Sequence, residues 1–105
     1  MTGKLELRRG VLVLAVLSQL GEPQYGYSLR RALDDLGMPI EEGTLYPLIR
    51  RLESQGLLAS DWRIEDARPR RYYRLNAAGK ALYAELKGNW KQLGAVMDRL
   101  LQEEG

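Results

Sequence analysis

The chain has 105 residues, with 16 lysines and arginines against 14 aspartates and glutamates for a net charge of +2, and it contains neither cysteine nor histidine. One domain is expected at this length, burying roughly 65% of the surface that the unfolded chain exposes. Without thiols or imidazoles, a disulfide framework, a zinc site, a Ser-His triad and a histidine general base are excluded, so no enzyme, metal centre or cofactor is expected.

Leu5, Leu12, Ala15, Val16 and Leu20 predict a first helix over Leu5–Leu20 with these side chains inward, stopped by Gly21 with Pro23 two residues on. The run VLVLAVL inside it, positions 11 to 17, is shorter than the about 20 residues that span a bilayer, and no signal-peptide cleavage pattern follows. No membrane partner is expected, and the cytoplasm is the predicted location. A second helix starts at Tyr25 or Gly26, where Tyr25, Leu29, Leu33 and Leu36 repeat at helical spacing beside Ala32; Gly37 and Pro39 end it.

The third helix lies in GTLYPLIRRLESQGLL, positions 43 to 58. Leu45, Leu48, Ile49 and Leu52 make one apolar stripe, and Thr44, Pro47, Arg50, Arg51 and Ser54 face the other way. An interior proline costs about 3 kcal/mol, whereas one in the first turn breaks no intrahelical bond. The helix is therefore expected to start at Gly43 or Thr44, with Thr44 as N-cap; a start nearer Glu41 brings a local distortion at Pro47. Gly56 terminates it.

After Gly56 the pattern becomes strand-like. LLASDWRI (57 to 64) is one strand, EDARP (65 to 69) the turn and RRYYRL (70 to 75) the return strand, with Arg71, Tyr73 and Leu75 on one face and Arg70, Tyr72 and Arg74 on the other. Trp62 is expected to pack. Asn76 is the N-cap of a final helix running from Ala77 nearly to the end. The acidic pairs Asp34–Asp35, Glu41–Glu42, Glu65–Asp66 and Glu103–Glu104 sit at helix ends and turns, where solvated capping roles are expected.

From Thr44 to Arg74 seven basic residues stand against four acidic ones, a local net of +3. Residues 1 to 43 carry five against six, and residues 75 to 105 four against four. The positive surplus thus coincides with the third helix and the hairpin. Three helices, a hairpin and a further helix, in that order, predict a mainly α fold with a small β-hairpin: a winged helix-turn-helix domain over residues 1–76 and a long C-terminal dimerisation helix over 77–105. In that architecture the third helix reads the major groove of double-stranded DNA while the wing touches the backbone. Thr44, Tyr46, Pro47, Arg50, Arg51 and Ser54 are the candidate contacts of the helix, and Arg68, Arg70 and Arg71 those of the wing.

The blocks YGYSLRRAL, GTLYPLIRRLESQGLL and RPRRYYRLNAAGKALY together resemble the PadR-like transcriptional regulators over about two thirds of the chain. The resemblance implies a dimeric repressor of the short kind, in which the TLYPLIRRLE block is the recognition helix, the Tyr-Tyr-Arg-Leu strand closes the wing and the last helix dimerises. The chain departs from the family pattern in having Asn76–Ala77 where Thr-Glu is frequent, and Tyr25 in place of a histidine before Gly26.

In the last helix Leu82, Leu86, Trp90, Leu93, Met97 and Leu100 form a sustained apolar stripe, too long for a small winged domain to cover, so a second copy is its expected partner. Gly88 and Gly94 flank Trp90. They serve either close helix packing or a cavity at the dimer interface, lined by Leu86, Trp90, Leu93 and Met97, for a small aromatic or cationic ligand. Effector binding between subunits, which the resemblance implies for short family members, favours the cavity. A homodimer on an inverted-repeat operator follows from this reading. The other reading is a protein-interaction module that keeps the winged fold without an operator.

Overall fold

The computed structural model describes residues 2–102, with side chains from Arg8 onward. Its elements are α1 (Thr2–Ser18), β1 (Gln24–Tyr25), α2 (Gly26–Asp35), α3 (Glu42–Ser54), β2 (Leu58–Glu65), β3 (Arg68–Leu75) and α4 (Ala77–Leu100). The predicted inward side chain of Leu5 and the Glu103–Glu104 pair lie outside the described residues. No described helix is long and apolar enough to cross a membrane.

Helix α1 stops at Ser18, two residues before the predicted end. The Gln19 and Leu20 amides reach back only three residues, to Val16 and Leu17, and tighten the last turn. Leu12, Val16, Leu17 and Leu20 are buried there, joined by Leu29 and Leu33 of α2, Ile40, the α3 stripe of Leu45, Leu48, Ile49 and Leu52, and Leu58 and Leu75 from the strands. Leu36, the last of the residues that repeat at helical spacing, is exposed: it is the C-cap of α2 and lies past the last turn that meets the core. Gly37 follows at φ +98°, a left-handed conformation that ends the helix.

Helix α3 corrects the predicted start. Its N-cap is Glu41, whose carbonyl accepts from the amides of Thr44 and Leu45. Thr44 is therefore in the first turn rather than at the cap, and Pro47 lies in the second, where it cannot supply the amide bond to the Gly43 carbonyl. Burial of the four apolar side chains outweighs that single missing bond, and the helix continues through Pro47.

The sheet has three strands rather than two, in the order β1-β3-β2, all antiparallel. Two residues show no alternation, so β1 left no signal in the sequence; its pairing of Gln24 and Tyr25 with Tyr73 and Tyr72 anchors the wing to the start of α2. The predicted five-residue turn is in fact two residues, Asp66 and Ala67, at φ 52° and 62°. Positive φ at both suits the right-handed twist of a tight hairpin, and at the tip Glu65 joins β2 while Arg68 and Pro69 join β3. Proline is tolerated at position 69 because β1 reaches only Tyr72 and Tyr73, leaving β3 a neighbour on one side there.

Asn76 caps α4: its side-chain oxygen accepts from the Gly79 amide at 2.8 Å while its side-chain nitrogen donates to the Gly56 carbonyl at 2.8 Å. A Cβ at Gly79 would collide with the Leu57 carbonyl, so only glycine lets α4 start this close to the wing's base. Leu82, Tyr83 and Leu86 then pack on the core, and the rest of α4 projects away from it, giving the molecule a 61 Å long axis against 27 and 26 Å.

Candidate nucleic-acid interface

The core stripe of α3 decides which of its side chains are free. With Leu45, Leu48, Ile49 and Leu52 buried, the 100° step between residues leaves Thr44, Pro47, Arg50, Arg51 and Ser54 exposed. Ser54 is partly committed, since its hydroxyl donates to the Arg51 carbonyl at 2.8 Å.

Tyr46 is not on this outer face. It is half-buried against the N-terminus of α2, where a Cβ on Gly26 would stand 2.8 Å from its ring. Glycine at that position is what lets the two helices approach around the tyrosine.

Two clefts run along the flanks of α3. On one side Thr44, Pro47 and Arg51 share a cleft with Arg8 and Arg9 of α1. On the other, Tyr46 and Arg50 face the wing across a cleft that also holds Tyr25, Tyr27, Tyr73, Arg70 and Arg71. The adjacent arginines 50 and 51 are thus parted onto opposite sides, and each meets further arginines there.

Charge counted along contiguous segments does not single out Arg8 and Arg9: residues 1 to 43 balance as a stretch, yet folding carries this pair to α3. The Arg-Arg doublet just ahead of the apolar run of the first helix is the signal that the sequence offers.

The wing arginines differ among themselves. Arg68 is exposed and makes no ion pair among the described residues. Arg70 lies over the Tyr25 ring at 4.6 Å and 3.8 Å from a Glu65 oxygen. Arg71 is held by α3: its Nη2 donates to both Glu53 oxygens at 2.9 and 3.1 Å, and its Nε to Ser60 Oγ at 2.9 Å, while the Ser60 hydroxyl also donates to Glu53. Its guanidinium links wing to helix.

On the opposite face of the sheet, Arg63 stacks 4.4 Å from the Tyr72 ring, which meets Tyr25 edge-on at 5.3 Å. The Tyr72 hydroxyl donates to Glu65, and this bond, more than burial or the Glu65 charge, holds the phenol above its ordinary pKa. The ladder stiffens the wing against β1.

Trp62, expected to pack, is 65% exposed. It lies past the point where the sheet meets α3, so nothing in the core reaches it. In α4 the predicted interface residues divide: Leu86 packs against the chain's own core, whereas Trp90, Leu93 and Met97 are 53%, 53% and 37% exposed. Among the described residues a Cβ at Gly88 or Gly94 would meet nothing within 4 Å, so neither glycine serves close packing against them.

A helix-turn-helix with its third helix bare on one face, and a wing fixed beside it, defines a winged-helix DNA-binding regulator. Residues 13–85 match the Transcriptional regulator PadR-like family. A transcriptional regulator of Mycobacterium tuberculosis is 38% identical over 81 residues, 76% of each chain being covered. Among solved structures, the chain resembles a PadR family transcriptional regulator from Eggerthella lenta, with 51% identity, a TM-score of 0.84 and coverage of 98% of this chain and 92% of that one. A PadR-like transcription factor from Bacteroides fragilis superposes with a TM-score of 0.84 at 31% identity, covering 95% and 99%. The chain belongs to the PadR-like family of transcriptional regulators.

Proposed function

We propose that the chain acts as a homodimeric repressor of transcription that reads an inverted-repeat operator in double-stranded DNA. The observation that carries this reading is the outer face of α3, which presents Thr44, Pro47, Arg50, Arg51 and Ser54 between two arginine-lined clefts. A helix fits the major groove, and an arginine on it can pair with guanine O6 and N7. Arg8 and Arg9 on one flank and Arg68 and Arg70 on the other suit the phosphates that border that groove. Tyr46 and Arg71 support the reading surface from behind, one against α2 and the other on Glu53.

Dimerisation belongs to the second half of α4. Trp90, Leu93, Met97 and Leu100 form an apolar row that its own chain leaves bare, and two copies meeting face to face bury it on both. The division of labour falls at residue 76: residues 1–76 bind DNA and 77–105 pair the subunits. A planar aromatic effector fits between Trp90 and its symmetry mate, where two indole faces can hold it and shift the spacing of the two α3 helices. A protein that works on DNA in this way belongs in the cytoplasm.

Selection of bound duplexes from a random pool tests the reading. Enrichment of inverted half-sites about one helical turn apart is expected, with the selected duplex bound at least about 10³-fold more tightly than a scrambled one at physiological salt. If every duplex binds equally weakly and none is enriched, the operator reading fails and the protein-interaction module takes its place.

A further inference from the structure

We infer that the cleft between α2 and the α2–α3 turn is a binding site for a small zwitterion, a compound of the α-amino-acid type that carries an ammonium and a carboxylate on one apolar body. The site goes beyond the DNA-binding reading and does not depend on it. Tyr27, Arg30, Arg31 and Asp34 follow one another at steps of three, one and three, so they share the outward face of α2, opposite the buried Leu29 and Leu33. The turn contributes Ile40 and Glu41 and α1 contributes Arg8 to the lining of a cleft of about 770 Å³. That size falls within the range of small-molecule sites.

Charge separates this cleft from the two that flank α3. Those hold arginines 8, 9 and 51 on one side and 50, 70 and 71 on the other, with no carboxylate among the described lining residues, as suits a polyanion. Here three arginines meet two carboxylates, Asp34 and Glu41. Arg30 is already engaged, its guanidinium lying 3.5 Å from Glu42 and 5.8 Å from the centre of the Tyr27 ring. That leaves Arg8 and Arg31 facing Asp34 and Glu41, and none of the four is in an ion pair among the described residues. A duplex phosphate held by Arg31 would lie beside Asp34, and a lone cation held by Asp34 would lie beside Arg31. A molecule with both charges meets a complement for each.

Spacing narrows the class further. Arg31 and Asp34, three apart on a helix, are surface neighbours, close enough to serve two charged groups borne on one carbon atom. They do not satisfy each other: Arg31 Nη1 donates instead to the Tyr27 hydroxyl at 3.3 Å, toward the start of the helix and away from Asp34. Ile40, 4% exposed, and the Tyr27 ring, 47% exposed, give an apolar body a surface to rest on beside these charges.

The test is calorimetric titration of the full chain with L-phenylalanine, with phenylpropionate, which lacks the ammonium, and with phenethylamine, which lacks the carboxylate. The amino acid is expected to bind at least about tenfold more tightly than either, the effect of one charge-assisted hydrogen bond. Asp34→Asn should weaken the amino acid about tenfold while phenylpropionate binds no more weakly than before, and Arg31→Gln should do the same with phenethylamine as the unaffected compound. Both positions are exposed, so both variants keep the fold. Amide resonances of α2 and of the turn around Ile40 should move on titration, and those around Trp90 should stay still. No heat and no shifted resonance with millimolar L-phenylalanine or L-leucine overturns the proposal. Binding of phenylpropionate or inorganic phosphate as tight as that of the amino acid marks a plain anion site and overturns it too, as do shifts gathered around Trp90, which place the ligand on α4. A chain that selects no operator yet binds the amino acid here would sink the DNA-binding reading and leave this one standing.

Discussion

Arg68 and Arg71 lie three residues apart on one strand, yet their surroundings assign them opposite tasks. Arg68 is exposed and makes no ion pair among the described residues, whereas Arg71 places its donors on Glu53 and Ser60. On the proposed reading, Arg68→Ala should flatten the log affinity versus log salt slope by roughly 0.9 for each phosphate that it no longer neutralises. Arg71→Ala should leave that slope unchanged, lower the melting temperature, and lower affinity by letting the wing move relative to α3. Titrations across a range of salt concentrations separate the two; a flattened slope in Arg71→Ala would show that it leaves Glu53 for DNA. Gly26→Ala, on the same scale, forces the Tyr46 ring to shift and should cost about 1 to 3 kcal/mol by denaturant unfolding.

At the scale of elements, the two helix starts that frame the wing carry opposite expectations. Asn76→Ala removes the cap of α4 and orphans the Gly56 carbonyl, which should cost about 1 kcal/mol and lower the melting temperature by about 5 °C. Pro47→Ala should raise stability by roughly 1 kcal/mol or more, since an alanine amide can bond the Gly43 carbonyl that proline leaves unmatched. An unchanged or lower midpoint for Pro47→Ala would mean that the proline's restriction of the unfolded chain outweighs the missing bond. The elements themselves were largely legible: α2, α3, both wing strands and α4 follow from apolar spacing and from Gly37, Gly56 and Asn76 as stops and starts. The start of α3 was not, because a proline penalty weighed alone points to the first turn, while the burial that overrides it is visible only in the fold.

For the whole molecule, the 61 Å long axis runs out along the second half of α4, where Trp90, Leu93 and Leu100 are exposed. If that half pairs two chains, Trp90→Ala should raise the dimer dissociation constant at least about thirtyfold, equivalent to about 2 kcal/mol or more. Sedimentation at low concentration reads this directly. Should the dimer survive, calorimetric titration with planar aromatic compounds distinguishes a ring lining an open effector cavity, whose removal abolishes the heat of binding, from a ring on free surface, whose removal changes nothing.

Periodicity and punctuation are local properties, and they sufficed for the order of helices and strands, the inward leucines, the Asn76 cap and the family blocks. Proximity is not local. Only the tertiary structure decided that Arg8 and Arg9 stand beside Arg51, that Arg71 is bound to Glu53, that Tyr46 lies on Gly26 and that Trp62 overhangs the core, because each depends on groups brought together across the chain by burial of the same leucine core.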